Sequence, residues 1–294
     1  MRSSRPRRKT CWPSWPDDPA SCSPPVVSAL RIALGLSYDG SGTPGWQTQP
    51  GGRALQDLLE SSLACMAGHA VSTVCAGRTD AGVHALAQVV HFDTEAERPL
   101  SAWVRGTNAR LPDRIRVQWA HQVSADFHAR FSALSRTYRY LLHVAQVEHP
   151  LWSARAGWVF RPIDITVMQA AALSLVGEHD FSAFRSSQCQ ARSPVRRLSQ
   201  LEIGARGELI EFIFTANAFL HHMVRNLVGT LVQVGLGRKP VDWPAQVLAS
   251  GDRGQAAATF SPAGLYLAGV DYGDGWGLPM MGLQDPLLQT GGAS

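Results

Sequence analysis

Polar and apolar positions alternate over residues 29–38, the period of a strand that buries one face. The pattern then switches. Over residues 53–66, Leu55, Leu58, Leu59, Leu63 and Met66 recur at helical spacing and mark one stripe. Residues 71–75 and 86–92 read as strands, residues 100–108 as a helix stopped by Pro112, and residues 115–123 as a further strand. In the strand over residues 135–144, Tyr138, Tyr140 and Leu142 face one way, while Arg139 and Leu141 face the other. Residues 150–161 are Trp-rich and without period. Residues 165–176 read as a helix that Gly177 caps, and residues 181–192 as a polar loop. A hairpin joins residues 195–205 to 208–216 across Gly204-Ala-Arg-Gly207. The most apolar helix spans residues 220–234, with Leu220, Val224, Leu227, Val228 and Leu231 on its buried face. A short helix at 243–250 and a strand at 265–270 complete the pattern.

Each half of the chain runs strands, helices, then strands again. This order predicts an α+β fold. Two α/β subdomains, residues 29–130 and 131–273, share a continuous mixed, mostly antiparallel sheet with a central cleft. Residues 1–28 mix Arg, Ser, Pro and Trp without period, and are expected to be a disordered basic tail. Residues 274–294 are expected to be a flexible tail.

Composition narrows the picture. A chain of 294 residues with 45% hydrophobic content holds a substantial core. No apolar run is long enough to span a bilayer. Trp12, Pro13, Trp15 and Pro16 interrupt what a secretory signal would need as an apolar stretch. The five cysteines, Cys11, Cys22, Cys65, Cys75 and Cys189, are odd in number and contain no Cys-x-x-Cys pair. They suit a reduced cytoplasm, and their spacing fits no zinc site. Net charge is +4, of which residues 1–28 supply +3 through Arg2, Arg5, Arg7, Arg8 and Lys9 against Asp17 and Asp18. Any nucleic-acid face must therefore come from local grouping of arginines in the body.

Gly40-Ser-Gly-Thr-Pro-Gly45 follows a strand and formally matches a dinucleotide-binding turn. The context fails. Pro50, Gly51 and Gly52 delay the helix, and no second unit of the expected kind follows, so a nicotinamide-dependent oxidoreductase is rejected.

The chemistry concentrates in residues 74–92, where two apolar runs flank Gly77-Arg-Thr-Asp-Ala-Gly-Val-His84. Gly77 and Gly82 permit a sharp turn, which presents Arg78 and Asp80 on a tight connection. Most loop aspartates cap a turn. Here a nearby guanidinium favours the ionised carboxylate, which can act as a nucleophile toward an electron-poor carbon. Tyr138 lies in Arg136-Thr-Tyr-Arg-Tyr140, where a tyrosine either packs in the sheet or offers a plate for a pyrimidine. Arg225, within Phe219-Leu-His-His-Met-Val-Arg-Asn226, sits on an apolar helix and must find an acidic partner. His221 and His222 are adjacent on the expected helix. They point to different faces and lack metal-pair spacing, so packing or RNA contact is expected of them and no metal is assigned.

These motifs resemble those of the TruA-type tRNA pseudouridine synthases. Asp39-Gly40, Gly45-Trp46-Gln47 with Gln49, Asp126-Phe-His-Ala-Arg-Phe131, Cys189-Gln-Ala-Arg192 and Pro262-Ala-Gly-Leu-Tyr266 extend the resemblance over residues 30–272. One departure is Pro44, where the family usually has an aromatic residue. The resemblance implies the pseudouridine synthase fold and an isomerase that breaks the N1–C1′ bond of uridine and joins C5 to C1′. It implies Asp80 as nucleophile, Tyr138 packed on the target uracil, and Arg225 beside the nucleophile. Arg78 is then a candidate to hold the backbone or the space left by a flipped nucleotide. The isomerisation is redox-neutral, so no cofactor is expected. The implied partners are the tRNA anticodon stem–loop, at positions 38, 39 and 40, and a second copy of the chain in a homodimer. Attack at C1′, attack at C6 and removal of a sugar proton all stay open for Asp80. The rival reading is a non-catalytic tRNA-binding protein with a degenerate site.

Overall fold

The computed structural model describes residues 29–279. The expected basic tail over residues 1–28 and the stretch 280–294 lie outside the described residues.

The chain builds β1 (Leu30–Tyr38), α1 (Leu55–Ala67), β2 (Val74–Cys75), β3 (His84–Thr94), α2 (Leu100–Asn108) and β4 (Ile115–Val123). It continues with β5 (Ser135–Val144), β6 (Gly157–Val159), α3 (Ile165–Ala172), β7 (Gly177–Asp180), β8 (Val195–Arg206) and β9 (Leu209–Ala216). Then come α4 (Met223–Gly235), α5 (Trp243–Ser250) and β10 (Leu265–Asp271). All ten strands lie in one sheet, in the order β4-β1-β3-β10-β5-β9-β8-β7, with β2 added to β3 and β6 to β5. This is the continuous, mostly antiparallel sheet that the alternation predicts. Among its pairings, β10 with β3 and β5 with β6 are parallel.

The last strand is the seam. β10 enters between β3 and β5, pairing Tyr266 with His84 and Leu267 with Ala85 on one side, and Leu267 with Tyr138 on the other. Chain from near the C-terminus thus locks the start of β3, where the Asp80 loop ends, to the strand that carries Tyr138.

Helices follow their apolar stripes. In α1, Leu55, Leu59 and Leu63 are fully buried at i, i+4 spacing. The Asp57 carboxylate accepts the Ala54 N–H at 2.9 Å, and Gly68 ends the helix in the left-handed conformation. In α4, Val224, Leu227, Val228 and Leu231 are buried as expected. Its buried Asn226 donates to the Phe184 carbonyl at 2.7 Å and accepts from Thr259 at 2.7 Å, so the polar side chain is satisfied. One continuous apolar cluster takes side chains from every helix and from strands across the sheet.

Several expectations change. Gly177 does not cap α3. That helix ends at Ala172, tightens into a 3₁₀ turn over Leu173–Leu175, and Gly177 instead opens β7. Residues 157–159, expected to be irregular, form β6. The hairpin turn is tighter than expected: β8 runs to Arg206, which faces Leu209, and Gly207 at φ +63° starts a two-residue turn. Helix α4 begins at Met223 rather than Leu220. Within the C-terminal stretch, Asp274–Trp276 forms a 3₁₀ turn and Trp276 packs against Phe127 at 5.1 Å.

Candidate active site

The Asp80 loop spans residues 76–83 between β2 and β3, and it is clamped from several sides. Buried Gln88 on β3 reaches back to donate to the Gly77 carbonyl at 2.6 Å and to the Tyr38 hydroxyl at 3.3 Å. That hydroxyl lies 2.8 Å from the Thr79 hydroxyl. The Trp46 N–H donates to the Thr79 carbonyl at 3.0 Å, and Val83 N–H closes the turn on the Asp80 carbonyl at 3.1 Å. Arg136 donates to the Ala76 carbonyl and to the Asn217 carbonyl, tying the start of the loop to the end of β9.

The glycines that imitate a dinucleotide turn serve this loop instead. A Cβ on Gly40 would lie 1.9 Å from the Val83 carbonyl oxygen, and one on Gly45 would lie 2.8 Å from that of Thr79. Backbone stacks directly on backbone there, which only glycine allows. His84 secures the far end. Its Nε2–H faces the Ala154 and Ala263 carbonyls at 2.9 and 3.1 Å, while Nδ1 accepts the Gly40 N–H. Burial holds its pKa below the usual imidazole value, against the opposing charge of Asp39.

Asp80 meets Arg225 of α4. Arg225 Nη1 lies 3.1 Å from Oδ2, and Arg225 Nε donates to the Phe260 carbonyl at 2.8 Å. The guanidinium is thus fixed by backbone before it reaches the carboxylate. The Asp80 side chain remains 24% exposed, so an incoming group can reach it. Tyr138 is buried beneath the loop, its hydroxyl 3.5 Å from where a Gly77 Cβ would stand, and Phe219 meets its ring edge-on at 4.9 Å. Burial raises the phenol's pKa, and the Asp80 charge raises it further.

Two of the sequence-derived placements need revision. Arg78 is exposed, and among the described residues no ion pair joins it to Asp80; the guanidinium on the carboxylate is that of Arg225. His221 and His222 do not diverge. Because α4 starts later than expected, His222 lies outside it, at φ +65°, the only non-glycine residue with positive φ among those described. The two rings come to 4.0 Å of one another, and their Nε2 atoms lie 3.1 and 3.3 Å from Asp80 Oδ1 and Oδ2. Burial lowers the His222 pKa, partly offset by Asp80. The donor atoms of Asp80, His221 and His222 all lie within 4.8 Å of one another, the one grouping of metal-ligand type among the described residues. The histidine doublet itself was the available signal, but its geometry depends on where the helix starts, which periodicity fixes only to within a turn.

The arrangement is a partly exposed carboxylate held by one guanidinium and two imidazoles, above a buried tyrosine. Comparison with known proteins gives it a context. A family model described as tRNA pseudouridine synthase matches residues 36–132 and 171–273. The tRNA pseudouridine synthase A of Bordetella petrii is 60% identical over 244 residues, covering 82% of this chain and 91% of that protein. The protein of the same name from Bordetella avium is 59% identical over the same shares of the two chains. Its counterpart in Paraburkholderia xenovorans is 58% identical over 249 residues, 85% of this chain and 92% of that one.

Proposed function

This chain belongs to the tRNA pseudouridine synthase family, and from that premise we propose that it isomerises uridine to pseudouridine in the anticodon stem–loop of tRNA, at positions 38, 39 and 40. The N1–C1′ bond breaks, the base turns, and C5 joins C1′. The C5 proton leaves and N1 regains one, so no electrons are gained or lost.

Asp80 is the nucleophile in this reading. The observation that carries it is the contact of Asp80 with Arg225, 3.1 Å across 145 positions of sequence, on a carboxylate that solvent still reaches. Attack at C1′, attack at C6 and removal of a sugar proton all draw on a lone pair of that carboxylate. Arg225 and the two imidazoles orient it, and such fixed dipoles cost no reorganisation during reaction. Tyr138 supports the flipped uracil from below. Arg78, exposed on the loop, holds the tRNA backbone or the space that the base leaves. Residues 29–130 and 131–273 form the two walls of the cleft, and the working unit is a homodimer.

Release of tritium from C5-labelled uridine in tRNA tests the reading. Asp80→Asn abolishes release while tRNA binding persists. Turnover in that variant refutes the nucleophile assignment. Mapping the product residue in tRNA from cells lacking the protein tests positions 38, 39 and 40.

A further inference from the structure

Asp80, His221 and His222 offer one oxygen and two nitrogen donors in a small space. A tetrahedral zinc centre, with bonds of roughly 2.0–2.2 Å, sets neighbouring donors about 3.3–3.5 Å apart. The Nε2-to-oxygen separations here are 3.1 and 3.3 Å, and all the donors lie within 4.8 Å. Small ring rotations close the remaining difference.

The trio is held in place by backbone. His221 O accepts from Ser186 N–H at 2.9 Å, and His222 O accepts from Asn226 N–H at 2.9 Å. Between them His222 keeps a left-handed backbone, which a non-glycine residue adopts only against steric strain. Strain of this kind collects at functional sites, and here its effect is to turn both rings onto one carboxylate. The side chains are 35%, 27% and 24% exposed for His221, His222 and Asp80, which leaves a face open to solvent for a fourth ligand. Oδ2 also accepts from Arg225, so the carboxylate can coordinate through Oδ1 while a guanidinium steadies its other oxygen.

We propose that these three residues form a reversible binding site for a borderline-soft divalent cation of the zinc class, and that its occupation switches the enzyme off. Coordination through Nε2 moves each ring proton to Nδ1 and consumes the carboxylate lone pair that the reaction needs. The neighbouring Arg225 charge opposes a dication. This favours exchange over permanent occupation and separates the site from a resident cofactor. The inhibitory half of the proposal rests on Asp80 as the nucleophile; the binding half does not.

The test uses full-length protein stripped with a chelator. Zinc affinity and stoichiometry are measured by competition against a chromophoric chelator, and Co²⁺ replaces zinc to report geometry through its visible absorption. One strong site per chain with a tetrahedral Co²⁺ spectrum is expected. Asp80→Asn, His221→Asn and His222→Asn each weaken zinc by more than about tenfold, a loss that even outer-shell changes bring. Asparagine tolerates the left-handed backbone, and circular dichroism confirms that each variant folds. Cys189→Ser leaves affinity unchanged. In wild type, zinc suppresses tritium release, excess tRNA shifts the inhibition to higher zinc, and chelator restores activity.

Unchanged zinc affinity in the three variants, or an octahedral Co²⁺ spectrum, overturns the site even where Asp80→Asn is inactive. Zinc bound at the trio with turnover intact overturns the switch. If Asp80→Asn also turns over, the nucleophile assignment falls with it, while the binding result stands alone.

Discussion

Gly40 and Gly42 lie two residues apart in one turn, yet they do different jobs, and alanine separates them. At Gly40 an added Cβ would lie 1.9 Å from Val83 O and 2.5 Å from Val83 C, both backbone atoms. Val83 O must retreat by about 1.1 Å to reach the 3.0 Å that real Cβ contacts respect. Val83 closes the turn on Asp80, so this shift passes directly to the Asp80 loop. A displacement near 1 Å costs about 100-fold in rate, equivalent to about 2.7 kcal/mol of barrier. Overpacking adds about 1–3 kcal/mol of destabilisation. Gly42 has φ +68°, but nothing nearer than Arg114 Nη1 at 4.0 Å would meet its Cβ. Gly42→Ala therefore costs about 1–2 kcal/mol of backbone strain and leaves the loop in place. Single-turnover tritium release and thermal melts measure the pair. Gly40→Ala should lose about 100-fold in rate, whereas Gly42→Ala should lose about 2–8 °C in melting temperature with its rate unchanged. If Gly40→Ala retains wild-type rates, or if Gly42→Ala slows the reaction as much, the clamping of Asp80 through Val83 is wrong.

Three further outcomes follow from the packing. Glu211 lies buried between Arg139 at 2.5 Å and Arg206 at 2.8 Å; Glu211→Ala should cost about 3–5 kcal/mol by removing the carboxylate from a buried guanidinium, read as a fall in urea midpoint. Tyr138→Phe should keep most tRNA affinity and part of the rate, while Tyr138→Ala should lose about 1–3 kcal/mol of stacking, seen in tRNA titrations; equal loss in both would reject the plate role. Burial lowers the His91 pKa from 6.5 to about 4, with the Arg31 charge adding to the effect. The unfolded chain then binds a proton that the native state refuses. Stability should therefore fall as pH drops from about 6.5 towards 4, by at most about 1.4 kcal/mol per pH unit, and level off below. His91→Asn keeps an acceptor for the Ala129 N–H and should flatten that slope in pH-dependent melts.

What the sequence disclosed depended on how local the governing interactions were. The long strands and helices carry their own periodicity, so β1, β4, β5 and α2 lie where the pattern places them. β6 and β7 have three and four residues, too few for a period, and they exist because β5 and β8 offer backbone partners. Asp80 and Arg225 were each legible as a motif. Their contact was expected only through the family resemblance, because 145 positions separate them, no local pattern reports on such a pair, and only the tertiary fold closes that distance. The convergence of His221 and His222 turned on a single backbone conformation, which residue type alone does not announce.

The β3–β10 junction also bears on how the enzyme is made. A ribosome releases β1 to β4 long before Leu265 emerges, and those strands can pair among themselves while synthesis continues. The ladder that ties His84 to Tyr266 can close only once β10 has emerged, when both of its neighbours, β3 and β5, have already been synthesised. Nascent chains can thus form much of their hydrogen-bonded framework before that ladder closes, and a chain cut short ahead of Leu265 would keep every residue named around Asp80 yet lack the wedge between β3 and β5.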